Sequence, residues 1–179
     1  MLDRKKSLLI VTDVQGKLAN LMFEKEALFK NIGIIIDGFK ILDIPILWLE
    51  QYPEGLGSTV LEVASYLEGY RPIPKKTFSA LNDKKILKRF KEIGREQILM
   101  TGIESHIYIY QTSMQLISMG YETHIVYDAV SSRTEYNKNI GVEKITRAGG
   151  HITSVETSLF ELLGIAEGEV FKKILQLVK

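Results

Sequence analysis

The sequence contains no cysteine among its 179 residues. This absence excludes disulfide bonds, zinc sites with thiolate ligands and iron–sulfur clusters. It equally excludes every reaction in which a protein thiol is the nucleophile. Any catalytic activity of this chain must therefore depend on oxygen or nitrogen side chains.

Recognisable metal and cofactor motifs are also missing. The histidines number three and are scattered along the chain, at His106, His124 and His151. None of their spacings suits a shared metal ion. The segment "GLGST" (55–59) is too short for a phosphate-binding loop and has no lysine, and only one glycine follows the first apolar run. We expect no metal and no nicotinamide or flavin cofactor, and we interpret 55–59 as a turn into a helix that begins near Ser58.

Long apolar runs and an excess of one charge are absent as well. The first apolar run, "LLIV", is too short for a signal peptide or a membrane span. The 23 basic and 22 acidic side chains leave a net charge of +1, which disfavours general nucleic-acid or membrane-surface binding. We therefore expect a soluble cytoplasmic protein without a nucleic-acid or membrane partner.

Alternating strand and helix patterns run through the chain, without internal repeats or a linker, so residues 1–179 are predicted to form a single domain. Short apolar runs predict strands at 7–13, 44–50, 73–78, 97–102, 122–128 and 150–154. Helical periodicity occurs at 24–42, 83–93, 104–119, 135–148, 155–163 and 167–178. This alternation is typical of βαβ units and predicts an α/β fold with a parallel sheet.

Active sites of parallel sheets lie beyond the carboxyl ends of their strands. That rule selects Asp13, the pair 50–51, the segment 102–104 and Asp128. Asp13 is placed either to act as an acid or base or to cap the following turn, and position alone does not separate the two. Asp128 is interpreted as a cap of the turn after its strand, together with Ser131 or Ser132.

Two further positions have a chemical and a structural interpretation. Lys75, next to Lys76, could reach into a site and stabilise developing negative charge, but an isolated lysine pair is more often solvated. Tyr108 lies near the start of a helix whose predicted apolar stripe contains Ile107, Tyr110, Met114 and Ile117. It projects away from that stripe, so it is either a residue lining a site or an amphipathic residue at the rim.

Five segments in order carry a further signal: "LLIVTDVQ", "LDIPILWLEQYPEGLGST", "IPKKTFSAL", "TGIESHIYIYQTSMQLISMGYETHIVYDAVSSR" and "ITRAGGHITSVETSLFELLG". Taken together, these segments resemble the isochorismatase-like hydrolase superfamily, also called cysteine hydrolases. The resemblance covers nearly the whole chain, and the branch it most suggests includes the isochorismatase domain-containing proteins. The resemblance implies a Rossmann-like three-layer α/β/α sandwich around a six-stranded parallel sheet.

The resemblance also implies a catalytic set. Its aspartate is Asp13, and its lysine is Lys75, which is followed three residues later by an aromatic residue and then serine. The cysteine nucleophile of the family stands four residues after Glu104, where this chain has Tyr108. A cis peptide between Ile103 and Glu104 is implied too, with the amides of Glu104 and Tyr108 as the oxyanion hole.

Tyrosine cannot simply replace a cysteine nucleophile, because its ordinary pKa is about 10 and its oxygen lies farther from the backbone. Hydrolysis of an amide through a thioester is therefore excluded. One hypothesis is thiol-independent hydrolysis of a vinyl ether by Asp13 and Lys75, as in some members of the family. The others are a non-catalytic ligand-binding protein or oligomeric scaffold with a vestigial site, or a role for Tyr108 as phenolic acid or base.

The expected partners are a small-molecule ligand and further copies of the chain. A homo-oligomer, at least a dimer, is predicted from family habit and from the apolar content of the last third, "SLFELLGIAEGEVFKKILQLV".

Overall fold

The computed structural model describes residues 1–179 and contains six strands. Their bounds are β1 Ser7–Thr12, β2 Ile46–Gln51, β3 Ile73–Lys75, β4 Gln97–Ile103, β5 Glu122–Ser131 and β6 His151–Thr153. They form one sheet in the order β3–β2–β1–β4–β5–β6, and every pair is parallel. The prediction of a six-stranded parallel sheet is confirmed.

Nine helices connect the strands. Their bounds are α1 Gly16–Ala19, α2 Lys25–Ile41, α3 Pro53–Leu56, α4 Leu61–Ala64, α5 Lys84–Ile93, α6 Tyr110–Ser118, α7 Glu135–Arg147, α8 Val155–Leu163 and α9 Gly168–Val178. Side-chain caps explain several starts: Asp83 accepts hydrogen bonds from the amides of Lys85 and Ile86, and Thr134 and Ser154 cap α7 and α8. No helix is both long and apolar enough to cross a membrane.

The helices cover both faces of the sheet and enclose two separate cores. Along β1, Leu9 and Val11 join the larger core beneath α2, α4, α8 and α9, whereas Leu8 and Ile10 join the core beneath α5, α6 and α7. This alternation explains why β1 is apolar at successive positions, since a strand covered on both faces exposes neither set of side chains. The predicted three-layer α/β/α sandwich is confirmed.

The strand order places a topological switch point beside β1. From β1 the chain proceeds outward through β2 to β3, and it later returns to β4 on the other side of β1. A crevice forms at such a point beyond the carboxyl ends of the strands. Asp13 lies there with φ 63°, in the left-handed region that a short aspartate side chain tolerates better than most residues.

The prediction of a helix beginning near Ser58 is wrong, because the next helix, α4, begins at Leu61. Thr59 is held in an extended segment: it forms an antiparallel bridge with Gln15, and its amide donates to Glu50 Oε1 at 2.7 Å. These tertiary contacts hold the segment before α4 next to the sheet in an extended conformation.

The predicted apolar stripe of α6 is also wrong. The chain enters α6 through a π-helical turn, Ser105–Ile109, and the side chains that face inward are Ser105, Tyr108, Ile109, Thr112, Ser113 and Leu116. Hydroxyl side chains are tolerated inside because two of them are bonded: Ser105 Oγ donates to the Ser131 carbonyl at 3.0 Å, and Thr112 Oγ1 accepts from the Ala80 amide at 3.0 Å. A prediction from hydrophobicity alone therefore identified the wrong face as buried. Tyr108 lies on the face that is buried in the structure.

Asp128 does not cap the turn after its strand, because β5 continues to Ser131. Its Oδ1 instead accepts a hydrogen bond of 2.9 Å from the Val155 amide at the start of α8.

In the last third of the chain, α9 packs against α2 and α8 and buries Ile174, so much of the apolar content of this segment is buried within the chain. Ile165 and Val170 remain exposed there.

Gly141 of α7 should not tolerate a side chain, although alanine is the better helix former by about 1 kcal/mol. A Cβ at this position would lie 2.5 Å from the backbone carbon and oxygen of Ser105, in the π-helical turn. We expect Gly141→Ala to lower the free energy of unfolding by about 1–3 kcal/mol, the usual cost of overpacking. Urea unfolding measures this, with the exposed Glu143→Ala on the same helix as the control. An unchanged or raised stability of Gly141→Ala would contradict the close approach of α7.

Candidate active site

An ion pair between Asp13 and Lys75 lies at the carboxyl edge of the sheet. Asp13 follows β1 and Lys75 ends β3, and Lys75 Nζ is 2.7 Å from Asp13 Oδ2. Their side chains are 2% and 0% exposed, respectively. The structure therefore brings together the two charged residues that the family resemblance selected, and it shields them from solvent.

Strand alternation explains why Lys75 enters the site and Lys76 does not. Lys75 pairs in register with Gln51 of β2, and its side chain points across the end of β2 toward Asp13. The next side chain projects to the opposite side. Lys76 is exposed, and its Nζ lies 5.2 Å from the centre of the Tyr52 ring.

Two glutamines support the ion pair: Gln51, which was predicted only by its position at the end of a strand, and Gln15, which was not predicted. Gln51 Oε1 accepts a hydrogen bond of 2.7 Å from Lys75 Nζ. The Gln15 side chain holds the backbone of Gln51 from both sides: its Oε1 accepts from the Gln51 amide at 2.6 Å, and its Nε2 donates to the Gln51 carbonyl at 3.0 Å. The signal in the sequence was a glutamine two residues after Asp13, but an uncharged amide gives little indication of its partner.

Burial dominates the electrostatics of the pair. It raises the pKa of Asp13 to about 6, although the charge of Lys75 and its hydrogen bond oppose the change. Burial also lowers the pKa of Lys75, against the attraction of Asp13. Asp13 Oδ2 is held by Lys75, whereas Asp13 Oδ1 is enclosed and has no partner at hydrogen-bond distance, although the nearby Thr12 hydroxyl also acts to lower the pKa of Asp13. One carboxyl oxygen thus remains available, with a proton affinity suited to acid–base chemistry near neutral pH.

Tyr108 covers this pair. The centre of its ring lies 4.5 Å from Lys75 Nζ, within the range of a cation–π interaction. Phe78 lies outside it, with the two ring centres 5.6 Å apart, and is 54% exposed whereas Tyr108 is 9% exposed. Burial, followed by the charges of Asp13 and Glu104, raises the pKa of Tyr108 above its ordinary value. The phenol is therefore neutral at physiological pH, which makes a phenolate nucleophile still less available than in free tyrosine.

The other predicted site residues are Ile103, at the end of β4, and Glu104, which follows it. The peptide bond between Ile103 and Glu104 is cis. The Glu104 carboxylate is buried, and its Oε1 accepts from Arg133 Nε at 3.1 Å and from the Arg133 amide at 3.3 Å. The use of the Glu104 and Tyr108 amides as an oxyanion hole stays a prediction.

The histidines do not join this site as a group. His124 Nε2 lies 2.8 Å from Glu122 Oε1 near the amino end of β5, and the His124 ring is 5.0 Å from that of His151. His106 contacts Ser132 Oγ through Nδ1 at 2.9 Å. No group of three or more His, Asp or Glu side chains is arranged to hold a metal ion.

A small cavity of about 270 Å³ lies on the outer side of Lys75 and is lined by residues that include Tyr52, Lys76, Thr77 and Asp83. Asp13 and Tyr108 do not line it. A ligand in this cavity would therefore reach Asp13 only if the side chains above the pair moved.

Comparison with known proteins gives a consistent result. The family model described as the isochorismatase domain matches residues 7–157. The chain is 35% identical to the secreted isochorismatase effector Isc1 of Phytophthora sojae, over 97% of this chain and 84% of that protein. It is 33% identical to isochorismatase domain-containing protein 2 of Danio rerio, over 99% and 89%. The solved structure of the MAR1 ribonuclease from Caenorhabditis elegans superposes with a TM-score of 0.91 at 30% identity, covering 99% of this chain and 91% of that one.

Removing the lysine charge should destabilise the fold in a pH-dependent manner. In Lys75→Met the Asp13 carboxylate is buried without a cation, which typically costs about 3–5 kcal/mol. The folded-state pKa of Asp13 is raised from 3.8 to about 6, so stability falls as pH rises between these two values, because the unfolded chain loses this proton first. Without Lys75, which lowers the pKa of Asp13, the folded-state pKa rises further and the fall continues to higher pH than in the natural protein. We expect a large loss at pH 8 and a smaller loss at pH 5 by urea unfolding.

The matched control is Lys76→Met, which alters the neighbouring exposed lysine and should change stability by less than about 0.5 kcal/mol. Equal losses for Lys75→Met at both pH values would show that Asp13 does not titrate as described.

Tyr108→Cys should produce a reactive thiol. The sulfur would lie near the Lys75 ammonium, which stabilises a thiolate, and near Asp13, which can accept the proton. We expect alkylation by iodoacetamide at pH 7 to be faster than in Ser118→Cys, an exposed position at the end of the same helix. Labelling followed by intact-mass spectrometry measures both rates. Slower labelling of Tyr108→Cys than of the control would mean that this corner does not stabilise an anion.

Proposed function

This chain belongs to the isochorismatase family, and from that premise we propose that it hydrolyses a small molecule by acid–base chemistry, without a covalent intermediate. The observation that supports this proposal is the buried Asp13 carboxyl group, with a pKa of about 6 and one oxygen free of protein partners. A vinyl ether is the substrate class that such a group serves best, because its rate-limiting protonation needs an acid and no nucleophilic side chain.

The proposed reaction begins with protonated Asp13. Its proton passes to the terminal carbon of the vinyl ether, which leaves an oxocarbenium ion and the Asp13 carboxylate. Water adds to the cation, and the proton that it releases restores the carboxyl group. The resulting hemiketal then breaks its carbon–oxygen bond to give a ketone and an alcohol. Lys75 positions Asp13 through the 2.7 Å contact and stabilises the carboxylate formed in the first step.

Tyr108 has no covalent role in this proposal. Its raised pKa keeps the phenol protonated, and its ring lies over Lys75 in the space next to the ion pair. Substrate would reach Asp13 after the Tyr108 ring moves outward, toward the exposed Phe78. The ring therefore limits both the size of the substrate and the rate of its entry.

A second candidate is a non-catalytic protein that retains the ion pair as a ligand-binding or vestigial site. The nearly complete burial of Asp13, Lys75 and Tyr108 favours it, because a closed site admits substrate only after a rearrangement. The cytoplasmic location, the homo-oligomeric state and the lack of a cofactor stay predictions under either candidate.

An enolpyruvyl ether such as isochorismate tests the proposal, because its hydrolysis releases pyruvate that lactate dehydrogenase reports through NADH oxidation. We expect turnover that decreases about tenfold per pH unit above pH 6, as Asp13 loses its proton. Asp13→Asn should reduce the rate by about 100-fold or more, since general acid catalysis contributes 10²–10⁴-fold. Asp43→Asn, a change at an exposed aspartate, should leave it unaltered.

Tyr108→Ala distinguishes the two candidates. If the ring only restricts entry, kcat/KM should rise in this variant and the pH profile should keep its midpoint near that of the natural protein. Absence of pyruvate from both the natural protein and Tyr108→Ala, with both folded, would reject vinyl ether hydrolysis and favour the non-catalytic alternative.

A further inference from the structure

A second and larger cavity lies on the opposite face of β2 from the ion pair. It has a volume of about 700 Å³ and opens between α1, the segment before α4 and β2. We call it the Glu50 cleft, and the residues that define it are Lys17, Asn20, Trp48, Glu50, Thr59 and Glu62. Its size is in the range of small-molecule sites in proteins.

The floor of the Glu50 cleft is a carboxylate held in one orientation. Trp48 and Glu50 are two residues apart on β2, so their side chains lie on the same face. Glu50 Oε1 accepts two hydrogen bonds from Thr59, one of 2.7 Å from the amide and one of 2.7 Å from the hydroxyl. Thr59 Oγ1 in turn accepts from Trp48 Nε1 at 2.9 Å. This network leaves the second oxygen, Oε2, without a hydrogen bond inside the protein.

That free oxygen reaches the solvent of the cleft, because it is not one of the enclosed side-chain atoms that lack a partner. Glu50 is 5% exposed and forms no ion pair within the chain. The nearby Lys75 is already committed to Asp13 and Gln51. A buried carboxylate is costly unless a cation or several donors compensate its charge. Within the protein Thr59 does so at Oε1, whereas Oε2 is left to solvent or to a ligand in the cleft.

The lining of the cleft favours a positively charged ligand. Three charged side chains face it: Glu50 on the floor, and Lys17 and Glu62, which are exposed at the rim. Together these side chains carry a net charge of −1, and the charged group on the floor is the Glu50 carboxylate. The half-buried Trp48 indole beside it offers the aromatic surface that binds organic cations best.

We propose that the Glu50 cleft binds a small organic cation that carries a guanidinium or primary ammonium group. Its N–H groups donate to Glu50 Oε2 in a charge-assisted hydrogen bond, and its cationic carbon or nitrogen lies against the Trp48 indole. This binding site is separate from the Asp13–Lys75 pair, and the proposal does not depend on the proposed hydrolysis.

The position of Trp48 provides a direct readout, because it is the only tryptophan of the chain. We would titrate the folded protein with ethylguanidinium chloride at millimolar concentrations and follow tryptophan emission, keeping ionic strength constant with sodium chloride. Ethylurea, the neutral molecule of nearly the same shape, is the matched probe. We expect a saturable emission change with ethylguanidinium and none with ethylurea. Equal responses to both probes, or no response to either, would overturn the proposal.

Glu50→Gln tests the carboxylate itself. Its Oε1 can still accept both hydrogen bonds from Thr59, whereas the free oxygen becomes an NH₂ group that repels the donors of the cation. We expect the affinity for ethylguanidinium to fall about tenfold or more. Glu62→Gln, at the rim, should lower it by less than about threefold. A larger effect of Glu62→Gln than of Glu50→Gln would assign binding to the rim and contradict the proposal. Should Glu50→Gln fail to fold, the comparison of the two probes on the natural protein still decides.

Discussion

The buried contact between Asp13 and Lys75 is the interaction on which the rest of the site depends. Two opposite charges that leave water must stay within hydrogen-bond distance, or each incurs a desolvation cost of several kcal/mol. Asp13 follows β1 and Lys75 ends β3, and these strands are not neighbours, so the contact spans the end of β2. The hydrogen bonds between the Gln15 side chain and the Gln51 backbone help to hold the strand ends in place and so maintain the distance between Asp13 and Lys75.

The same burial determines which chemistry the site can perform. It raises the proton affinity of Asp13, which makes the residue useful as an acid, and it suppresses ionisation of Tyr108, which removes the phenol as a nucleophile. The ring also contributes to the burial, since it lies over Lys75. Tyr108 thus contributes to the electrostatics of the ion pair as well as covering it.

Strand β2 lies between the Asp13–Lys75 pair and the Glu50 cleft. Glu50 and Gln51 are adjacent, so their side chains project to opposite faces. Gln51 bonds Lys75 in the Asp13–Lys75 site, whereas Glu50 bonds Thr59 in the Glu50 cleft. The charges remain close enough for Glu50 to contribute to the raised pKa of Asp13. A cation bound in the Glu50 cleft would weaken that contribution and so lower the pKa of Asp13.

The sequence by itself determined the fold class, because apolar runs and helical periodicity are local properties of the chain. It also indicated Asp13, since a carboxylate after a buried strand stands at a known edge of a parallel sheet. The family resemblance selected Lys75 over Lys76, and strand alternation in the structure provides the physical reason. Tertiary structure alone decided the inward face of α6, because Ser105 and Thr112 are buried through hydrogen bonds to segments distant in sequence. The roles of Gln15, Gln51 and Glu50 have the same origin: an uncharged amide or a carboxylate acquires its partner only when separate strands and loops meet.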